Sequence, residues 1–461
     1  MTLERRSLAI IMYQTKEVSR LETTTERRAI SGIASLREKL GQKAKREPNF
    51  RFYTLYGHLC KEDLLQEAWK MVKRNGGAPG IDKVSIKDIE SCKEGVSRFL
   101  KGIQEEIRSN TYHPKPVKRV YIPKSDGKLR PLGIPTVKDR VVQAALLLIL
   151  EPIFEEDFLD CSYGFRPERS AHEAIDAIKA AIQGGRTQIY DADLKGYFDS
   201  IPHDKLMKAL ERRIADQQVL KLIRKWLTAP IYEEGKPMKP NDQGTPQGGV
   251  ISPLLANIYL HWFDKVFYGS EGPGSTAKAV LVRYADDFVI LARYLTKKIT
   301  NWIKKEVEGR FGLVINCEKT KIKDLAEPKE QLDFLGFTIR SEILEKVPWK
   351  KYCTIQPSKN SLKKIKEKIR EITSPGNGYK PIGAIVKSLN LCLRGWGEYF
   401  KKGHPSKAFS NVNAYVDERV IHFLQRRSQK RYKKSQSSET WYQEIRRLKV
   451  MLLTKKVFVK A

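Results

Sequence analysis

Two short acidic segments carry the chemistry for which this chain is equipped. In Thr187-Gln188-Ile189-Tyr190-Asp191-Ala192-Asp193-Leu194-Lys195-Gly196-Tyr197-Phe198-Asp199, a β-forming run ends in an acidic residue and turns at Gly196. In the second, residues 280–291, two hydrophobic strands flank the pair Asp286-Asp287, the pattern of a hairpin with adjacent aspartates at its tip. A solvated Asp-Asp turn is the plain alternative, but apolar strands on both sides weigh against it. Carboxylates placed among apolar strands are costly unless cations compensate them. Hard oxygen ligands suit Mg²⁺, which takes one or two protein carboxylates and leaves its other positions to water and phosphate. Two such ions about 3.5–4 Å apart activate an attacking hydroxyl and stabilise a leaving pyrophosphate. Asp193 and Asp286 are the natural bridging pair. Asp287 points the other way along its strand, and Asp191, one step back from Asp193, reads as structural.

Strands and helices must alternate around these segments to position them. Residues 117–123, 188–194, 280–293 and 334–339 have strand character, with helical stretches between them, so the middle of the chain is mixed α/β. Upstream, apolar periodicity predicts helices over 55–72 and 86–107, joined by the Gly- and Pro-dense Asn75-Gly76-Gly77-Ala78-Pro79-Gly80-Ile81-Asp82. Residues 1–50 form a polar, basic extension with helical stretches such as 26–40. Downstream, three apolar stripes recur at helical spacing: Leu362, Ile365, Ile369 and Ile372; Ile382, Ile385, Val386, Leu389 and Leu393; and Val412, Tyr415, Val416, Val420, Phe423 and Leu424. Gly395 and Gly397 are expected to close the second helix. Residues 374–378 and 403–405 break the chain between the stripes. This predicts a small helical bundle, then a basic tail from about residue 431 and a last short helix near 441–453.

The charge has a direction. The 461 residues hold 86 Lys+Arg against 54 Asp+Glu, a net of +32. Solubility needs a net charge of only about 2–8 for a small domain. With a hydrophobic fraction of 41% the chain can bury a core and is no disordered polycation. Residues 341–461 carry 28 Lys+Arg and 9 Asp+Glu, so +19 of the excess lies in about a quarter of the chain, interleaved with aromatics. That points to a nucleic-acid partner rather than a membrane surface. The most apolar run, 141–150, is far below the ~20 residues of a membrane span, and Leu8–Met12 is shorter than a secretory h-region of about 7–15 residues. Six scattered cysteines without a C-x-x-C pair argue against a zinc module or a disulfide scaffold and fit a reducing cytoplasm.

Tyr284-Ala285-Asp286-Asp287 resembles the catalytic box of reverse transcriptases. The segments around it resemble, in order, those of the bacterial group II intron-encoded reverse transcriptase/maturase family. They are 75–82, Arg130-Pro131-Leu132-Gly133-Ile134-Pro135-Thr136, Ser162-Tyr163-Gly164-Phe165-Arg166-Pro167, 193–199, 243–253, the acidic hairpin, Glu318-Lys319-Thr320 and Phe334-Leu335-Gly336-Phe337. The resemblance implies an α/β (α+β) right-hand polymerase. Fingers and palm over 51–340 would surround a small antiparallel sheet, followed by an α-helical thumb, domain X, over 341–430 and a basic DNA-binding-like tail over 431–461. It makes Asp193, Asp286 and Asp287 the catalytic triad that holds two Mg²⁺ ions, with Leu194 as a further metal-binding position. Lys124 and Arg130 would hold the incoming triphosphate. The backbone of Leu194, Lys195 and Gly196 would cradle triphosphate or sugar. Phe198 matches the gate against a 2′-hydroxyl, Gln247 would pack beside the nascent base pair, and Leu335-Gly336-Phe337 resembles a primer-gripping hairpin.

The implied partners are group II intron RNA, an RNA template with a DNA primer, target DNA and dNTPs, without a membrane. The implied site is the bacterial cytoplasm, on the nucleoid when DNA-bound. Longer members end in an H-N-H endonuclease with paired cysteines; no cysteine follows Cys392, so second-strand cleavage is not expected of this chain. A reverse transcriptase domesticated for host defence or repair would keep the same active site, and a flanking group II ribozyme sequence would separate the two. A splicing-only RNA-binding maturase is opposed by the intact triad and gate. An RNA-dependent RNA polymerase is opposed by Phe198 and by Tyr-Ala-Asp-Asp in place of Gly-Asp-Asp. Phosphate contacts should dominate RNA affinity. Filter binding between 50 and 200 mM salt should therefore show a loss of about 10³-fold or more, as for 6–10 phosphate contacts, and a flat profile would contradict this.

Overall fold

The apolar run 141–150 lies inside a helix that is covered on all sides, and this helix organises the first of two units in the computed structural model. The structure describes residues 24–123, 127, 129–344, 347–426, 432 and 440–454. One unit comprises Met1–Ala174 with Tyr190–Lys321, the other Ile175–Ile189 with Ile322–Ala461.

In chain order, the elements up to the acidic hairpin begin with helices α1 (Thr24–Arg46), α2 (Glu62–Asn75) and α3 (Gly95–Arg108). Strands β1 (Val117–Pro123) and β2 (Leu129–Ile134) follow, then α4 (Val137–Glu155), α5 (Ala171–Gln183) and β3 (Gln188–Ala192). Helices α6 (His203–Glu211), α7 (Gln217–Leu227) and α8 (Ser252–Tyr268) lead to β4 (Val280–Tyr284) and β5 (Asp287–Ala292). Thr136 caps α4 by accepting from the Asp139 N–H. Val141, Val142, Ala144, Ala145, Leu146, Ile149 and Leu150 are all fully buried, which is what a helix apolar on every face requires.

Pro152 sits inside α4 and has no N–H to give the carbonyl four residues back. That carbonyl belongs to Leu148, and Arg37 of α1 supplies the missing donor from Nη1 at 2.8 Å while its Nη2 pairs with Glu151 at 2.6 Å. Arg213, itself buried, donates to the carbonyls of Ala44, Glu47, Pro48 and Phe50 at 2.5–3.2 Å and so fixes the end of α1. With Ile33, Leu40 and Ala44 buried, the second half of this basic helix belongs to the core of the first unit.

Two expected helices are interrupted. The stretch 55–72 forms a single turn, Tyr56–Leu59, and then α2. The stretch 86–107 stops at Ser91 and resumes at Gly95, after Glu94 takes φ +58°. Gly95 packs so closely on the preceding helix that a Cβ would lie 2.1 Å from the Ile89 carbonyl, and apolar periodicity carries no signal of that contact.

The second unit contains β6 (Lys321–Asp324), β7 (Leu332–Phe334), β8 (Phe337–Leu344) and β9 (Val347–Pro357), followed by α9 (Lys359–Ile372), α10 (Ile382–Phe400), α11 (Ser406–Arg426) and α12 (Trp441–Arg447). Strands β7, β8 and β9 form an antiparallel sheet in sequence order. The turn of the β7–β8 hairpin is Leu335-Gly336, both at positive φ. Ser361 Oγ and the Ser358 N–H donate to the Gly336 carbonyl, and the Tyr399 hydroxyl donates to that of Leu335 at 2.9 Å. The three apolar stripes become α9, α10 and α11.

Helix α10 does not end at Gly395. It continues to Phe400 because Trp396 and Phe400 pack at 4.9 Å, and Phe400 on Phe337 at the same distance. Those ring contacts outweigh the ~1 kcal/mol that each helical glycine costs relative to alanine. The segment 431–435 lies outside the described residues apart from Tyr432. Among the described residues no helix is long and apolar enough to cross a membrane.

Gly395 is an exposed helical residue, and a Cβ there would meet nothing within 4 Å. Gly395→Ala should therefore stabilise the protein by about 0.5–1 kcal/mol. Gly403→Ala should destabilise it, since Gly403 has φ +80° and a Cβ would lie 2.4 Å from the Ile355 carbonyl. Opposite shifts in thermal midpoint are the expected result.

Candidate active site

The acidic segments are brought together by the sheet in which β5 lies between β4 and β3. Strands β4 and β5 pair antiparallel from Val280↔Leu291 to Tyr284↔Asp287, leaving Ala285-Asp286 as a two-residue turn. The inward residues Leu281, Val282 and Phe288–Ala292 are buried, so the apolar flanks anchor the hairpin and the two aspartates emerge at its end. Beyond β3 the chain makes one further bridge, Leu194 opposite Ile315. Its bonds run from the Lys195 N–H to the Val314 carbonyl and from the Asn316 N–H to the Asp193 carbonyl, both 2.8 Å. In such a pair the N–H and C=O of Leu194 face away from Ile315.

Asp193 is held from one side. Asn316 Nδ2 donates to its Oδ2 at 2.9 Å, Lys319 Nζ lies 3.6 Å from the same oxygen, and its own N–H points to Thr320 Oγ1 at 3.3 Å. Withdrawal from water raises the proton affinity of Asp286, and the charge of Asp193 adds to this while Arg130 and Arg283 oppose it. Asp287 is pushed up to about 7 by loss of water and then by Asp286, Asp193 and Asp191, with Lys319 pulling the other way. Its outer edge remains open to solvent, which leaves a path for a cation. Among the described residues no three His, Cys, Asp or Glu side chains already converge as a ligand set, in keeping with Asp193 being turned to Asn316 and Lys319. An acceptor-only set of oxygens with one solvent-open carboxylate fits a hard divalent cation that keeps water and phosphate ligands.

The hairpin turn is buttressed from behind. Ala285 takes φ +58°, an unfavourable conformation for a residue with a Cβ. Arg283 and Asp264 are both 0% exposed and pair through Nε and Nη2 at 2.6–3.1 Å. The remaining nitrogen, Nη1, donates to the Ala285 carbonyl at 3.0 Å and to Asn257 Oδ1 at 2.9 Å. Asn257 Nδ2 in turn donates to the Gly164 carbonyl at 2.7 Å. A Cβ on Gly164 would lie 2.4 Å from the Ala285 nitrogen, so only glycine fits there.

Phe198 is half-buried against the core and edge-on to Tyr197 at 5.5 Å. The 243–249 loop docks on this segment. The Thr245 N–H donates to the Phe198 carbonyl, Gln247 Nε2 donates to Asp199 Oδ2 at 3.1 Å, and a Cβ on Gly244 would lie 2.7 Å from the Asp199 backbone. The same loop is tied to β2 by the Gly133 N–H on the Gln247 carbonyl. The loop that carries Gln247 is thus fixed to the segment that carries Phe198. Arg130, exposed on β2, lies within electrostatic reach of Asp286. Lys124 lies outside the described residues. The Lys195 N–H is committed to Val314, so it is not a free donor for a triphosphate; Gly196, at φ +60°, starts the short turn Tyr197–Ser200.

Sequence reasoning missed Asn316, Asn257, Asp264 and Gly164 as the residues that orient this site. Only Arg283 left a signal, a charge in the middle of an apolar strand. Arg166, read within a motif, is a buried clamp: it pairs with Glu155 at 2.7 Å and donates to the carbonyls of Leu159 and Ser162.

Because the Asp287 carboxyl holds its proton more tightly folded than unfolded, loss of water and then the neighbouring carboxylates weaken the fold as pH rises from about 4, fully so above about 7. Asp287→Asn should raise the thermal midpoint at pH 8, by about 2–4 °C for each kcal/mol relieved, and leave it nearly unchanged at pH 4.5. Equal effects at both pH values would contradict the crowding of charge.

Residues 122–339 match the family profile "Reverse transcriptase (RNA-dependent DNA polymerase)", and residues 362–441 match "Group II intron, maturase-specific domain". Protein YkfC of Escherichia coli (strain K12) is 37% identical over 326 residues, covering 63% of this chain and 84% of that protein. The group II intron-encoded protein LtrA of Lactococcus lactis subsp. cremoris is 32% identical over 400 residues, 72% of this chain and 65% of LtrA, so the chain spans just under two thirds of that relative. A telomerase from Candida albicans in complex with telomeric RNA aligns more distantly, at 14% identity and a TM-score of 0.40 over 73% of this chain and 63% of that one. The reverse-transcriptase and maturase-specific matches, with Protein YkfC covered over most of its length, make one assignment: the chain belongs to the family of group II intron-encoded reverse transcriptases with maturase activity in intron splicing.

Proposed function

We propose that this chain extends a DNA primer on an RNA template within its own intron's mobility cycle, with Asp193, Asp286 and Asp287 as the catalytic carboxylates. The observation that carries this reading is the strand order of one sheet, in which β3, leading to Asp193, lies next to the strand that begins at Asp287. The Leu194 carbonyl, facing away from Ile315, adds a neutral oxygen to the set. Two Mg²⁺ ions, when bound, would supply activation of the primer 3′-hydroxyl and charge neutralisation at the leaving pyrophosphate.

The remaining work belongs to side chains and backbone. Asn316 holds the Asp193 carboxylate in one rotamer, and Lys319 offsets its charge. Arg130 on β2, together with Lys124, binds the triphosphate of the dNTP. Phe198 stands against the 2′ position of the sugar. Gln247, oriented by Asp199, packs beside the nascent base pair. We read 51–340 as fingers and palm, 341–430 as thumb and 431–461 as a basic tail. With the 1–50 segment, the thumb and tail would grip intron RNA and target DNA by their positive charge.

Primer extension on poly(rA)/oligo(dT) tests this directly, and absence of a Mg²⁺-dependent product from the intact chain would overturn it. Phe198→Ala should retain extension but lower selectivity for dNTPs over rNTPs by about 10–200-fold, the usual worth of one pocket contact. Unchanged sugar selectivity would remove Phe198 from the gate.

A further inference from the structure

We propose that Arg283 is a positioning residue for polymerisation: it sets the place of Asp286 by holding the carbonyl of Ala285, the other residue of the hairpin turn. The inference rests on the reading of Asp286 as a catalytic carboxylate. Its basis is geometric. A left-handed alanine persists only where its surroundings over-determine it, and here two constraints meet on Ala285. Arg283 Nη1 takes its carbonyl at 3.0 Å, and the Gly164 backbone closes against its nitrogen.

Both constraints trace to one buried group. The guanidinium spends Nε and Nη2 on Asp264 and shares Nη1 between Ala285 and Asn257; Asn257 then holds Gly164 through its carbonyl. The Arg283 backbone is fixed as well, its N–H on the Cys161 carbonyl at 2.8 Å and its C=O accepting from the Tyr163 N–H at 2.9 Å. The side chain of Arg283 thus ties α8 to the turn, and its backbone ties both to the 161–163 segment. A planar fork reaches three partners at fixed angles, which a lysine ammonium cannot reproduce.

The test separates positioning from folding. Replacing both members of a buried ion pair by apolar residues of similar size is often neutral for stability, so Arg283→Met with Asp264→Leu should fold while leaving the turn carbonyl unheld. Arg283→Lys is the companion, able to pair with Asp264 but not to span Ala285 and Asn257 together. Both should retain a cooperative thermal transition and RNA affinity within about twofold of the unsubstituted chain. On poly(rA)/oligo(dT), kcat should fall about 10–100-fold, the usual cost of losing a group that orients a ligand. KM for dTTP should change little, and half-maximal activity should need more Mg²⁺.

A folded variant of either kind with unchanged kcat and unchanged Mg²⁺ dependence would overturn the proposal. Loss of the thermal transition in both would also overturn it, by making Arg283 a requirement of the fold. An unsubstituted chain that gives no Mg²⁺-dependent product would instead overturn the catalytic reading on which the proposal rests.

Discussion

Keeping like charges close together against their own repulsion is the constraint on which the rest of this structure depends. Asp286 and Asp287 are adjacent at a hairpin tip, and Asp193 and Asp191 lie on a neighbouring strand. Left to itself, such a cluster would splay or take up protons. The fold resists both outcomes with anchors outside the cluster. Apolar residues of β4 and β5 hold the hairpin's stem, Asn316 and Lys319 hold Asp193, and the Arg283 network fixes the turn.

Guanidinium groups, most of them buried, solve a second problem, the satisfaction of backbone carbonyls where regular structure fails. Arg37 supplies the donor that Pro152 removes from α4, Arg213 collects the carbonyls that follow α1, and Arg140 donates to those of Gly76 and Ala78 in the glycine-rich turn. Arg166 does the same for Leu159 and Ser162. Each lies where a loop or helix end must be held close to a core helix. A fork with five donors can serve several acceptors at once. Part of the large positive charge is thus structural and inward, while residues 341–461 carry +19 of the net +32.

Most strands were legible because an apolar run bounded by turn residues has few other solutions, but 334–339 is split by the Leu335-Gly336 turn into the end of β7 and the start of β8. Residues 117–123 form β1 as expected, and the acidic hairpin turns where the aspartates interrupt the apolar run. The stripes of 362–372, 382–393 and 412–424 were legible as helices for the same reason, but their ends were not. Gly395 and Gly397 read as stops, yet ring packing between Trp396, Phe400 and Phe337 carries α10 past them. The break at Glu94–Gly95 and the β8–β9 hairpin likewise depend on contacts that have no local signature.

The amino-acid sequence by itself determined the chemistry on offer: the carboxylates, their strands, the excess of positive charge and the order of motifs that marks the family. Asp193 and Asp286 follow from residue type and spacing along one chain, whereas Phe198 and Gln247 could be named only through the resemblance to the family. Only the tertiary structure decided what holds those groups in place. Asn316 reaches Asp193 across 123 residues, Gln247 reaches Asp199 across 48, and Gly164 meets the hairpin turn through Asn257 of a different helix. A supporting hydrogen bond of this kind needs only a donor at the right point in space, and many sequences can put one there. Asn316, Asn257 and Asp264 therefore carry no pattern that spacing along the chain could reveal.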